Sequence, residues 1–474
     1  MCSVFKLVPN HTELVLVMDF IGLLARLGQV IPSAPRPARR PSLGKRILFT
    51  ALVAIAFILL TSTPLYGIER AGLGALSPVI SIVLAMSSGT LAQLGIGPIV
   101  TSGLILQILV GARILNIDLS DPSGRSKFTL ASKGLAILLA VVEAAGFVVS
   151  GVYWFIPHAV PWWIKAVVFL QLLWGGIIIV ILDEAVQKGW GLGSGISLFI
   201  LIGVAQRFFA ELFTPHPASE EVAEPLGLIP YLASSLQSGT LNVYDLFLGR
   251  LLRGYPSITG LIVTLILIAV IAYLSVARIN IPIAVARYGG IKTRVPLQLM
   301  YVTNIPVLLT AILISDIVLV ANLLQSYLGI DTTGIRAFLS TPSLARIIYD
   351  PLGSIAYIAL FMLLCIGFGL LWIELAGLSP EAQAENLIKA DLNVPGMRRS
   401  TKVLSNYLAR YIYPLAIFSS IAVATIAIVG DIFGSFGSGT GLLLAVGILY
   451  NYYQILAYER TLEMYPLLKR FVGE

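Results

Sequence analysis

The chain has 474 residues, of which 57% are hydrophobic and 12% charged, with a formal net charge of +7. A soluble domain carries about 25% charged residues, so this composition excludes an ordinary water-soluble protein. The two cysteines, Cys2 and Cys365, imply no disulfide framework or metal site, because Cys365 falls inside an apolar run.

From the N-terminus, residues 1–45 read as a cytoplasmic segment in two parts. Residues 13–28 (ELVLVMDFIGLLARLG) are apolar nearly all round but short for a span, which predicts an interfacial helix. Residues 31–45 form a basic, proline-rich linker that cannot be helical throughout. No cleavable signal-peptide pattern precedes them. Ten apolar windows follow, at 46–66, 90–112, 133–155, 161–183, 192–213, 256–277, 298–322, 353–375, 411–431 and 438–458. A helix rises about 1.5 Å per residue, so about 20 apolar residues cross a hydrocarbon core of roughly 30 Å. The expected fold is an all-α polytopic membrane protein.

An external loop (214–255) divides the windows into a first half (46–213) and a second half (256–458), followed by a tail (459–474). Five spans per half is odd, so equivalent halves have inverted topology, an arrangement that builds transport proteins around a central pathway. With a cytoplasmic N-terminus, 24 of the 31 Lys and Arg lie in cytoplasmic segments, including the long basic loops 278–297 and 376–410. That positive-inside bias predicts both termini in the cytoplasm. Arg250 and Arg253 fall in the external loop, where charge reversal is expected to have no effect on cytoplasmic docking. Glu374, and Asp183 with Glu184, fall at span ends, where water is expected to satisfy them. Between the first two spans, residues 67–89 (GIERAGLGALSPVISIVLAMSSG) are too apolar for an exposed loop and too interrupted for a span. A short helix folded back into a protein cavity and an ordinary interfacial helix both fit.

Five ordered stretches, TPLYGI (63–68), GTLAQLGIGPIVTSGLILQIL (89–109), KGWGLGSGISLFI (188–200), YVTNIPVLL (301–309) and GSFGSGTGLLLAV (434–446), resemble the SecY family in its archaeal and eukaryotic form. The resemblance implies ten transmembrane helices in two inverted five-helix halves around a central pore. The pore would pass unfolded secretory polypeptides across the cytoplasmic membrane and release membrane-protein helices through a lateral gate. It also implies a constricting ring of Ile96, Val100, Ile196, Ile200, Leu308 and Leu444. Such a ring can seal against ions by dewetting without gripping any particular side chain. The i,i+4 spacing of Ile96 with Val100, and of Ile196 with Ile200, is compatible with shared helix faces. By periodicity alone these are six among many aliphatics packing a bundle.

By the same resemblance, residues 70–88 are a plug, and Thr101, Glu143 and Asp316 are a polar cluster at the lateral gate. Asp316 stands where the family is expected to carry Asn. Ionisable groups within spans usually have a function, although a static, satisfied pair reads nearly as well. Arg287, Lys292, Arg294, Arg398 and Arg399 on the two basic loops match the family's ribosome-docking positions. Phosphates favour such cations, although topology alone, or lipid headgroups, also call for basic loops. The implied partners are SecE-type and small beta-type subunits in a heterotrimer, the ribosome with its nascent chain, signal sequences and membrane lipids.

A secondary transporter for an ion or small solute is the rival reading, supported by the inverted topology and the intramembrane Glu143 and Asp316. An intramembrane enzyme is the third. His11, His158 and His216 form no HExxH, no P-loop pattern occurs, and Leu192 stands where a GxSG motif around Ser194 needs glycine. No enzyme and no cofactor are expected, and the energy for transport must come from a partner.

Overall fold

The computed structural model describes residues 21–29, 31–38, 41–69, 85–111, 114–115, 117, 121–155, 159–219, 222–239, 241–285, 291–389, 392–393 and 400–464. Ten apolar helices run through them: α1 (Leu43–Ser62), α2 (Gly97–Gly111), α3 (Pro122–Val149), α4 (Trp162–Ala185), α5 (Gly195–Phe213), α6 (Ile258–Val276), α7 (Ile305–Leu328), α8 (Pro351–Leu375), α9 (Thr401–Ile432) and α10 (Gly439–Met464). Among the described residues, nine are long and apolar enough to cross a membrane, and α2, at 15 residues, is the shorter one. The described residues form two compact units. One comprises residues 21–69 and 87–191, with α1–α4. The other comprises residues 192–464 with 85–86, and holds α5–α10.

In the first unit, α2 is short because the chain ahead of it is folded as buried turns. Ala92, Leu94 and Ile96 are fully buried, and Gly95 adopts φ +55°, which glycine accepts at no steric cost. Polar backbone at membrane depth must be satisfied internally. Leu65 and Leu91 donate to the Gly89 and Thr63 carbonyls, and Gln93 Oε1 accepts from Gly89 N at 2.6 Å. The turns are admitted by α4, where a Cβ at Gly175 would stand 1.9 Å from the Leu91 carbonyl oxygen.

Only residues 21–28 of the expected N-terminal helix lie within the described residues. They are helical and pack on α3 through two glycines. A Cβ at Gly28 would meet the Leu130 carbonyl oxygen at 2.2 Å, and one at Gly134 would meet that of Leu24 at 1.9 Å. Small residues permit such backbone contact. Leu24 is buried with Leu106, Ala131 and Leu135.

The proline-rich linker then crosses the ends of α3 and α4 as an extended strap. Lys133 Nζ donates to the carbonyls of Ile31 and Pro32, to Ser33 Oγ at 3.0 Å and to Glu184 Oε2 at 2.8 Å. Lys188 Nζ reaches the Ala34 carbonyl at 2.6 Å and Glu184 Oε1 at 2.7 Å, and the Trp190 indole donates to the Pro35 carbonyl. Water therefore does not satisfy Glu184, as its span-end position suggested. It joins two lysines, and its neighbour Asp183, itself buried, accepts from Gln187.

The second unit contains a feature that the loop reading missed. Loop 278–297 is an antiparallel hairpin of β3 (Arg278–Val285) and β4 (Ile291–Gln298), following the short external strands β1 (Pro217–Ser219) and β2 (Val222–Pro225). Alternating Ile279, Ile281, Ile283 and Val285 give β3 its strand character. The other basic loop supplies β5 (Leu392–Asn393), which pairs with the far end of β3. Leu297 and Tyr301 at the hairpin base pack on a core of Val302, Ile373, Ala384 and Leu404, joining the bases of both loops. The Tyr301 hydroxyl donates to the Leu378 carbonyl at 2.8 Å, and burial pushes its pKa up to about 12.

The loop between α5 and α6 is folded rather than open. Helix Leu228–Ser238 packs Leu228 and Tyr231 against Leu246 and Phe436. Arg250 is fully buried. Its guanidinium donates to the carbonyls of Pro225, Leu226 and Pro256 and lies 3.9 Å from the Tyr231 ring centroid. Burial holds its pKa below the usual arginine range, against the opposing pull of Tyr231 and Glu224. Charge reversal at Arg250 would disturb this buried network, so the residue is a structural pin and is unsuited as a control for docking.

Candidate functional site

Ile196, Ile200, Leu308 and Leu444 of the expected ring line one cavity of about 390 Å³ within the second unit. They come from the first two turns of α5, α7 and α10, and local chemistry fixes each start. Ser194 precedes α5 in extended conformation, and its carbonyl accepts from Tyr452 Oη at 3.4 Å. Gly193, at φ +67°, leaves room for that ring. Asn304 precedes α7 and donates from Nδ2 to the Leu443 carbonyl at 3.1 Å, tying α7 to α10 beside Leu444. A Cβ at Gly447 would stand 2.2 Å from that Nδ2, so α10 needs glycine there. Thr303 takes φ +54°, a costly conformation for a β-branched residue, at the turn into α7. Asp431 Oδ1 accepts from Gly439 N at 2.7 Å at the start of α10.

The rest of the cavity is Met300, Ile305, Gly447 and Ile448 together with uncharged polar groups, among them Gln298, Asn304, Asn451 and Gln454. None of its described lining residues is charged. It can wet a passing chain on its amide-lined part and exclude ions at its aliphatic part, and its described lining presents no charge to a cation. Among the described residues no cluster of three or more His, Cys, Asp or Glu is placed to hold a metal.

The remaining ring candidates belong to the first unit. Ile96 ends the buried turns and its carbonyl accepts from Val100 N at 3.1 Å, so the two are related as the i,i+4 spacing requires. Thr101 and Glu143 also lie in the first unit, on α2 and α3, whereas Asp316 lies on α7 in the second. Thr101 Oγ1 is buried without a hydrogen-bond partner in the structure. Lys292 and Arg294 share one face of β4 by strand alternation, opposite Ala284 and Pro282 of β3. Arg287, Arg398, Arg399 and most of the plug segment, residues 70–84, lie outside the described residues.

The SecY family model matches residues 90–453. The protein translocase subunit SecY of Aeropyrum pernix is 45% identical over 465 residues, covering 96% of this chain and 99% of that one. The chain belongs to the SecY family. Among solved structures, one described as a protein conducting channel superposes with a TM-score of 0.75 at 32% identity, covering 93% of this chain and 98% of the other. The structure of Sec61 in the canine ribosome-channel complex from the endoplasmic reticulum gives a TM-score of 0.72, also at 32% identity, with the same coverage. This SecY-family chain is thus a multi-pass helical membrane protein, and the shared fold spans nearly its whole length. The strap-binding group of Lys133, Glu184, Lys188 and Trp190 was missed in the sequence, where its lysines read only as topological and Glu184 as a span-end acid satisfied by water.

Proposed function

We propose that the chain is the channel-forming subunit of a protein translocase, passing unfolded polypeptides through an aliphatic constriction and releasing apolar helices sideways into the membrane. The observation that carries this reading is the cavity in the second unit. Four of the six ring candidates meet there, and no described charge lines it. An aliphatic ring is compliant toward any side chain and dewets when empty. The intramembrane charges that mark ion and proton pathways are absent from the cavity's described lining. Ile96 and Val100 complete the ring in this reading, residues 70–88 stopper it, and Thr101, Glu143 and Asp316 line the lateral gate. The channel is not itself a catalyst. It works in the cytoplasmic membrane with both termini inside, and with SecE-type and small beta-type subunits beside it.

The ribosome is the proposed cytoplasmic partner, docking on Arg287, Lys292, Arg294, Arg398 and Arg399. Support comes from the ribosome-bound Sec61 neighbour and from the strand pairing of β3 with both β4 and β5, which joins the two basic loops into one platform. Site-specific photocrosslinking tests the pathway. A probe at Ile200 or Leu308 should capture an arrested secretory nascent chain, and one at Leu265, exposed on α6, should not. Equal capture at all three positions, or uptake of a small solute with no capture at all, overturns the reading. For docking, Arg398→Glu/Arg399→Glu should weaken ribosome pelleting and flatten its salt dependence. Lys45→Glu, exposed in the first turn of α1, replaces the unsuitable Arg250 as control.

A further inference from the structure

The external loop carries an apolar surface that nothing among the described residues covers. Between Leu241 and Leu248 the exposed large side chains are all hydrophobic: Leu241, Val243, Tyr244, Phe247 and Leu248, with Val243 at 64% and Tyr244 at 58% exposed. The stretch is helical from residue 243 and opens with an Asx turn, Tyr244 N donating to Asn242 Oδ1 at 3.0 Å. Its other side is fixed: Leu246, Arg250 and Leu251 are buried. Its charged groups are tied to each other, Arg253 pairing with Asp245 at 2.8 Å. The buried side of the turn is thus anchored, and its exposed face is mainly apolar, with Asn242 the exposed polar group at its start and Asp245 partly exposed in its ion pair.

Its height is set by one hydrogen bond. Thr259 Oγ1 donates to the Phe247 carbonyl at 2.8 Å. Thr259 is in the first turn of α6, and below it Ile262, Ile266, Val270 and Tyr273 follow at helical spacing, all exposed. That stripe faces lipid in a multi-pass protein. The Phe247 turn sits directly on its end, so the apolar face of the loop continues the lipid-facing surface of α6. Apolar and aromatic side chains at this level partition into the boundary between headgroups and acyl chains.

We propose that residues 241–248 form an interfacial foot, seated in the headgroup–acyl boundary of the leaflet on the external-loop side. The loop between the two five-span sets then rides on lipid and not in water, with the Thr259 bond setting the level of the foot and Arg250 pinning the loop behind it.

The test is nitroxide accessibility in lipid nanodiscs, using the full chain with Cys2→Ser. Cys365 is fully buried and can stay. Probes go at Val243→Cys and Leu248→Cys, with Gln237→Cys, exposed on the neighbouring helix, as the aqueous reference. Collision with oxygen relative to a water-soluble nickel chelate should be several-fold higher at 243 and 248 than at 237. A ratio at 243 and 248 equal to that at 237 overturns the proposal. So does protection from both reagents that appears only when a small membrane subunit copurifies, which would make the face a protein contact. The double variant Val243→Asp/Leu248→Asp, on the solvent side of a fixed helix, should fold and should lower the oxygen preference of a probe at Leu241→Cys. No change there counts against the proposal.

Discussion

The cavity in the second unit and the strap clamp in the first are built from opposite chemistry. The cavity sets Ile196, Ile200, Leu308 and Leu444 beside neutral amides, with no described charge among them. The clamp gathers Lys133, Glu184 and Lys188 around consecutive carbonyls of the strap. Directional, charge-assisted bonds hold one conformation. Dispersion contacts between aliphatics are individually tiny and indifferent to the partner. The molecule uses the first kind where its chain must stay fixed and the second where, by our proposal, a foreign chain must slide.

The contrast can be broken from the clamp side. Glu184→Ala leaves two lysines facing each other, one with a side chain only 7% exposed. Breaking a buried pair costs about 3–5 kcal/mol, and that loss should appear in thermal unfolding in detergent. Trypsin should then cut faster at the linker's Arg39–Arg40 bond. The apolar double Lys133→Met/Glu184→Leu should recover much of the stability but not the trypsin resistance, separating charge balance from strap holding.

Arg250 is a second buried cation, satisfied by carbonyls and rings more than by its acid. Arg250→Met should cost about 3 kcal/mol, from orphaned carbonyls at about 1–3 kcal/mol each and a lost cation–π contact, partly offset by burial of the new side chain. Reversal at exposed Arg253 should cost less. Equal costs would mean that burial is not what distinguishes them.

A smaller effect sits at the glycine contact. Gly134→Ala must displace the Leu24 carbonyl from 1.9 Å and should cost about 1–3 kcal/mol by overpacking. Smaller still is Tyr301→Phe, about 1 kcal/mol for one hydrogen bond. Its sign with pH is fixed. The phenol pKa is raised on folding, so its contribution is complete below the unfolded value near 10 and fades as pH rises toward about 12. In Tyr301→Phe that part of the alkaline loss should vanish.

These cases also mark what the sequence discloses. The spans were legible because hydrocarbon thickness imposes a length on every apolar run. The shortness of α2 was not, since the buried turns at 90–96 are as apolar as a helix and only Gly95 betrays them. The β3–β4 hairpin was legible in principle, from the period-two isoleucines, but its Gly and Pro punctuation read as loop. The clamp was illegible. Lys133 and Glu184 are 51 residues apart; the lysine alone resembles the charges that set topology, and the glutamate alone a span-end acid facing water. The four ring residues were selected by family likeness, and only folding brings them to one cavity.

The central claim is that this cavity is a non-adhesive seal. The most direct measurement is ion conductance of the purified protein in planar bilayers after Ile196→Ser/Leu308→Ser, two half-buried cavity positions. Leu265→Ser, exposed on α6, is the reference. The account predicts a raised resting conductance in the double variant, none in the reference, and little change in thermal stability of either. Unchanged conductance from a double variant shown to be folded and inserted would contradict it and reduce these residues to packing.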